Sequence, residues 1–145
     1  MNEEYIGEFN SFLAGEMSAV ETYELALKTI DKDDIVKALV KCQKSHALRV
    51  EKLKTCVLDM GGAPGSSTGV WGTFAKVCQE NAHSEAAAIA ALEASEAERL
   101  VQYEAQQKIV ISPVLQVLQN DLLPEQHETH LTMSSLLKSL LPTPV

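Results

Sequence analysis

Five side chains able to bind a metal or move a proton interrupt otherwise apolar helical stripes: Glu16, His46, Glu96, His127 and His130. In the stretch LPEQHETHLTMSSLL, residues 123–137, two histidines stand one helical turn apart in what reads as the buried face of a helix. An isolated carboxylate or charged imidazole in an apolar core is costly, so such groups persist there when paired with each other or bound to a metal. Mixed imidazole and carboxylate shells suit zinc, iron and other first-row ions. Gln43 and Glu93, each one turn before one of these groups, are possible additional ligands. Arg49 stands one turn after His46, and Tyr23 and Tyr103 each stand seven residues after Glu16 and Glu96, so all three fall near the candidate ligands.

The elements that must position these groups are helices. Helix formers dominate, β-branched runs are scarce, and turn chemistry is confined to DKDD (31–34), GGAPGSSTG (61–69), NAHSE (81–85) and ISP (111–113). The spacing predicts four long helices over about 3–30, 33–60, 84–110 and 113–141, with a short amphipathic one over about 70–79. Asp33 or Asp34 is the expected cap of the second helix and Ser84, with Ala87, of the third; Pro113 suits the first turn of the fourth. Pro124 should kink that last helix by removing a hydrogen bond to Asn120. Val70, Phe74 and Val77 share one face of the short helix, and Trp71 should dock the crossover on the helices. His83 sits near a loop and is expected to be solvated.

Each long helix carries a mostly apolar seam at steps of three, four or seven: Ile6, Phe9, Leu13, Glu16, Val20, Tyr23, Leu27 and Ile30 in the first; Ile35, Leu39, Cys42, His46, Leu53 and Met60 in the second; Ile89, Leu92, Glu96, Leu100, Tyr103 and Val110 in the third; Leu123, His127, His130, Leu137 and Leu141 in the fourth. The expected fold is all-α: a single domain over residues 1–145, an antiparallel up-down-up-down four-helix bundle with the short helix in the second crossover. Counted inward from one end of such a bundle, Glu16, His46, Glu96, His127 and His130 all lie about 11–14 residues in, within roughly 5 Å of one level. The chain also looks duplicated. Glu16, Tyr23 and Glu24 recur as Glu96, Tyr103 and Glu104, and SHA at 45–47 echoes THL at 129–131.

Composition narrows the functional classes. With 46% hydrophobic residues the chain can bury a core of its own. No apolar run reaches the ~18 residues of a membrane span, and the start MNEEYIGEFN does not read as a secretory leader, so a cytoplasmic protein without a membrane partner is expected. The net charge is -8 with cations dispersed among acids, which argues against nucleic acid. Cys42, Cys56 and Cys78 are odd in number without a CxxC pair, and read as reduced thiols. A homodimer is compatible with the sequence, which leaves the identity of a small-molecule substrate open.

Glu followed seven residues later by Tyr on the first and third helices, with helical His on the second and fourth, resembles the ferritin-like superfamily and its rubrerythrin branch. The crossover LDMGGAPGSSTGVWG resembles that of an uncharacterised bacterial four-helix-bundle family within it. The resemblance implies Glu16 and Glu96 as terminal metal ligands, Tyr23 and Tyr103 as tyrosines behind them, and His46 and His130 as the histidines of two Glu-x-x-His motifs. Where the motif has Glu, this chain has Gln43 and His127. Two carboxylates facing two divalent ions would leave about +2 in a dry core. One ion, iron or zinc, is therefore favoured over two.

Two functional readings follow. The first is a ferritin-like metal-binding protein with a mid-bundle His/Glu site and redox or oxidative-stress chemistry in its ancestry. The second is a metal-free structural or interaction bundle whose buried polar ring is paired internally.

Overall fold

The computed structural model describes residues 2–81 and 84–140. His83 and Leu141 lie outside that range. Every regular element is helical: α1 (Asn2–Thr29), α2 (Asp33–Asp59), α3 (Gly72–Asn81), α4 (Glu85–Gln106), α5 (Val114–Val117), a π-helical turn (Leu118–Leu122) and α6 (Leu123–Leu140). There is no strand among the described residues.

Local chemistry sets the boundaries. Ser84 caps α4 by accepting a hydrogen bond from the Ala87 N–H at 3.1 Å, as expected. The cap position of α2 is Lys32, without a side-chain bond. Asp33 and Asp34 are instead inside the first turn, where their charge favours the positive end of the helix dipole. At the other end of α2, the Gly61 N–H and Gly62 N–H close onto Leu58 O and Val57 O. Gly61 takes φ +80°, in the left-handed region that side chains disfavour, and a Cβ on Gly62 would come within 2.8 Å of Ile6. The Gly-Gly pair thus ends α2 and lets the crossover press against α1.

That crossover sets the topology. Asn10 holds Ala63 and Gly65, Ser18 meets Ser67 and Thr68, and the Thr22 hydroxyl accepts from the Trp71 N–H at 2.9 Å. Residues 63–71 therefore climb along α1 from its start towards its end, and α3 docks there through the buried Phe74 with Val70 and Val77 against the same cluster. Consequently α4 starts at the far end and runs back, so that Tyr23 meets Glu96 while Glu16 meets Tyr103. α6 returns antiparallel to both α2 and α4, pairing Lys52 with Asp121, Ser45 with Glu125, and Glu93 with His130. The order is up-down-down-up rather than the expected up-down-up-down. Nine residues of extended chain reach ~30 Å, enough to carry the crossover along the molecule. Glu96 keeps its expected level because it lies near the middle of its helix, which either direction leaves at the same height.

Pro124 leaves its mark as a π-turn rather than as a simple kink. Leu123 bonds to Leu118 O, five residues back, just before the position where proline has no N–H to offer. Such a turn holds one residue more than an α-turn, so the buried stripe runs Leu118, Leu122, Gln126, Thr129, Met133.

The core has two apolar halves. One contains Phe9, Leu13, Leu53, Val57, Tyr103, Val114, Leu118 and Leu122; the other contains Tyr23, Ile30, Ile35, Leu39, Phe74, Ile89, Leu92 and Met133. Between them lies a polar layer.

Candidate functional site

The layer is built from one or two residues of each long helix: Glu16 on α1, His46 and Arg49 on α2, Glu96 on α4, Gln126 and Thr129 on α6. All are buried, and His46 and Glu96 are 0% exposed. The His46 ring lies between the two carboxylates, with Nδ1 at 2.5 Å from Glu16 Oε1 and Nε2 at 2.8 Å from Glu96 Oε2. An ionised carboxylate only accepts hydrogen bonds, so both ring nitrogens must donate. His46 is then an imidazolium.

Arg49 supplies the second cation. Its Nη1 donates to Glu16 Oε2 at 3.3 Å and to Gln126 Oε1, and its Nη2 to Ser45 Oγ and Thr129 Oγ1, both at 3.1 Å, while its Nε is buried without a partner. The Gln126 amide donates to Glu96 Oε1 at 2.6 Å and to the Glu96 backbone carbonyl, and the Thr129 hydroxyl donates to the same carboxylate oxygen at 2.8 Å. Two tyrosines complete the shell. Tyr23 donates to Glu96 Oε2 at 2.5 Å and Tyr103 donates to Glu16 Oε2. Each copy of the repeated Glu–Tyr pair thus bonds to the other across α1 and α4. Trp71 closes one side, its ring centroid 5.8 Å from that of His46 and 6.2 Å from that of Tyr23.

Electrostatics follow from this packing. Burial by itself would raise the Glu16 carboxyl, but Arg49 and His46 outweigh it and hold the pKa at about 2. Burial likewise opposes ionisation of Glu96, yet His46 and the Tyr23 and Thr129 hydroxyls bring it below the usual carboxylate value. For His46, burial disfavours the charged ring, and the two carboxylates overcome both that and Arg49 to raise its pKa. Burial, then the adjacent carboxylates, push Tyr23 and Tyr103 well above the ordinary phenol value, so both remain donors. The Cys42 thiol is pushed up to about 12 by burial and by Glu96, which leaves it without thiolate character.

These shifts fix the pH dependence of stability. Glu16 and Glu96, depressed on folding, stabilise fully above the ordinary carboxylate value of 4.5 and lose that contribution as pH falls through their lowered values, about 2 for Glu16. His46, raised on folding, stabilises fully below its ordinary value of 6.5 and loses its contribution as pH climbs through the raised value. Thermal melts across pH should therefore peak between about 4.5 and 6.5. A melting temperature that rises steadily from pH 6 to pH 9 would contradict the assignment.

Glu16, His46 and Glu96 converge as the sequence spacing suggests, with Tyr23, Tyr103 and Arg49 around them. The other expected ligands are elsewhere. His127 is exposed. His130 pairs with Glu93 at 2.7 Å near the surface, where both side chains are about a quarter exposed. Gln43 donates to the Val20 carbonyl at 3.2 Å and does not enter the layer. The inward face of α6 belongs instead to Gln126 and Thr129, in step with Leu118, Leu122 and Met133. The spacing Leu118, Leu122, Gln126, Thr129, Met133 carries this signal in the sequence, but an amide and a hydroxyl are less conspicuous there than two imidazoles.

The resulting set does not fit a resident metal. Each His46 nitrogen is committed to a carboxylate, and the charges of two carboxylates, one imidazolium and one guanidinium already cancel. Among the described residues no group of three or more His, Cys, Asp or Glu side chains is placed to hold a metal ion. Comparison with family models, with curated proteins and with solved structures gives no match to this chain.

Proposed function

We propose that this protein is a metal-free helical bundle that works as a structural or interaction module, its buried polar layer serving to fix how the four long helices meet. The observation that carries this reading is the bridging of Glu16 and Glu96 by both nitrogens of His46. A polar layer of this kind is satisfied in one register and one only, because sliding any helix by a turn leaves buried charges unpaired. The four-helix bundle is of the ferritin-like type in this reading, supported by the single crossover that runs the length of α1 and by the reciprocal Glu–Tyr pairs. No helix among the described residues is long and apolar enough to cross a membrane, and the acidic balance disfavours nucleic acid. The partner is another protein or a second copy of the chain, in the cytoplasm.

A metal-binding reading, with iron or zinc, has one observation in its favour: α1 and α4 bring two carboxylates to a single imidazole. A divalent ion would have to displace the His46 proton and break at least one of these bonds, with Arg49 still adding positive charge. Elemental analysis after aerobic and anaerobic loading with iron and zinc separates the two. The metal-free reading expects far less than one ion per chain; a stoichiometric ion lost in Glu16→Ala and Glu96→Ala would overturn it.

A further inference from the structure

On the outer side of Tyr103, α1 and α4 enclose a groove of about 410 Å³, within the range of small-molecule sites. Its walls are Glu8, Ser11 and Phe12 on α1 and Arg99, Tyr103 and Gln106 on α4, residues at three- and four-residue steps on both helices. The Phe12 and Tyr103 rings meet edge to face with centroids 5.4 Å apart and give the groove an apolar middle.

Its two ends carry opposite, unmatched charges. The Arg99 guanidinium stands 5.7 Å from the Tyr103 ring centroid and lies in a notch on α1 that exists because residue 15 is glycine: a Cβ there would be 2.2 Å from Arg99 Nη2. Among the described residues Arg99 has neither an ion pair nor a hydrogen bond. At the opposite end, Glu8 Oε2 is buried without a partner. Burial, then the neighbouring Glu4, raises the Glu8 carboxyl, as expected for an acid lacking a counter-ion. Gly15 lies seven residues along α1 from Glu8, ~10 Å at the helical rise, so the two groups do not pair with each other.

The geometry points to this groove as a binding site for a small linear zwitterion, with its carboxylate on Arg99, its amine on Glu8 and its methylene chain across Phe12 and Tyr103. The inference is independent of whether the buried layer holds a metal. It also has a built-in reporter, because Trp71, the chain's one tryptophan, lines a smaller cavity of about 150 Å³ on the other side of Arg99.

Titration of the full chain with ω-aminooctanoate, an eight-carbon chain comparable in length to the ~10 Å rise from Glu8 to Gly15 along α1, tests the site by calorimetry and by Trp71 emission. Saturable binding of one ligand per chain is expected, with octanoate, octylamine and γ-aminobutyrate weaker by about tenfold or more, since each loses a charged contact or the span. Arg99→Gln should abolish the response, and Glu8→Gln should remove the preference for ω-aminooctanoate over octanoate. Both positions are partly exposed, so circular dichroism should show both variants folded. Failure of wild type to bind, equal affinity for octanoate, or undiminished affinity in folded Arg99→Gln would each overturn the proposal.

Discussion

His46→Ala is expected to destabilise the fold by about 3–5 kcal/mol at neutral pH, the cost of breaking a buried ion network by removing one member. The imidazolium is the one group that touches both carboxylates, so its loss leaves Glu16 and Glu96 facing a cavity with only Arg49 to balance them. The loss should also depend on pH in a direction that a plain cavity would not show. In the variant at least one buried carboxyl has a pKa raised above its unfolded value, so its protonation restores stability as pH falls. Urea unfolding at about pH 5 and pH 6.5, a window over which the wild-type contributions of Glu16, Glu96 and His46 stay constant, should give a smaller penalty at the lower pH. An equal penalty at both would mean that packing, not charge, holds this ring in place.

The second large effect is expected at Arg49, whose guanidinium meets Glu16, Gln126, Ser45 and Thr129. Arg49→Met keeps much of the volume and removes the charge, which should also cost about 3–5 kcal/mol. Because Arg49 is the leading favourable influence on the Glu16 carboxyl, its loss should lift that group from about 2 and move the acid side of the stability profile to higher pH. Replacing the charged members together tests the same logic from the other side. Glu16→Leu, His46→Leu, Arg49→Met and Glu96→Leu, combined with Tyr23→Phe, Tyr103→Phe, Gln126→Leu and Thr129→Val so that no buried donor is left without its carboxylate, should be close to neutral or stabilising, since well-packed apolar groups avoid the desolvation cost. What the combined variant is expected to lose is uniqueness of register, visible as broadened side-chain NMR signals. Denaturant melts of the single and combined variants check both statements.

The helices and half of the layer were legible in the sequence for a common reason. Apolar steps of three and four are local, and Glu16, His46 and Glu96 interrupt them where an unpaired charge is least tolerable. The path between helices was not legible, because GGAPGSSTG gives flexibility and length without direction; the rungs that direct it, Asn10, Ser18 and Thr22, read as ordinary polar residues of α1. The inward face of α6 is marked in the sequence only by Leu118, Leu122 and Met133, between which Gln126 and Thr129 place an amide and a hydroxyl, while the more conspicuous His127 and His130 stand one residue out of phase. This has a consequence for restoring a two-metal centre: glutamates at positions 43 and 127 would not build one, since residue 127 is exposed and Gln43 turns to the Val20 carbonyl.

The claim that Glu16 and Glu96 are paired through a doubly protonated His46, without metal, is tested most directly by 15N NMR of the histidine ring nitrogens in protein prepared with iron and zinc present. His46 at neutral pH should show two protonated, hydrogen-bonded ring nitrogens and stay so above the ordinary histidine value of 6.5. A neutral His46 ring with one nitrogen bound to metal, or one that titrates at or below that value, would contradict it.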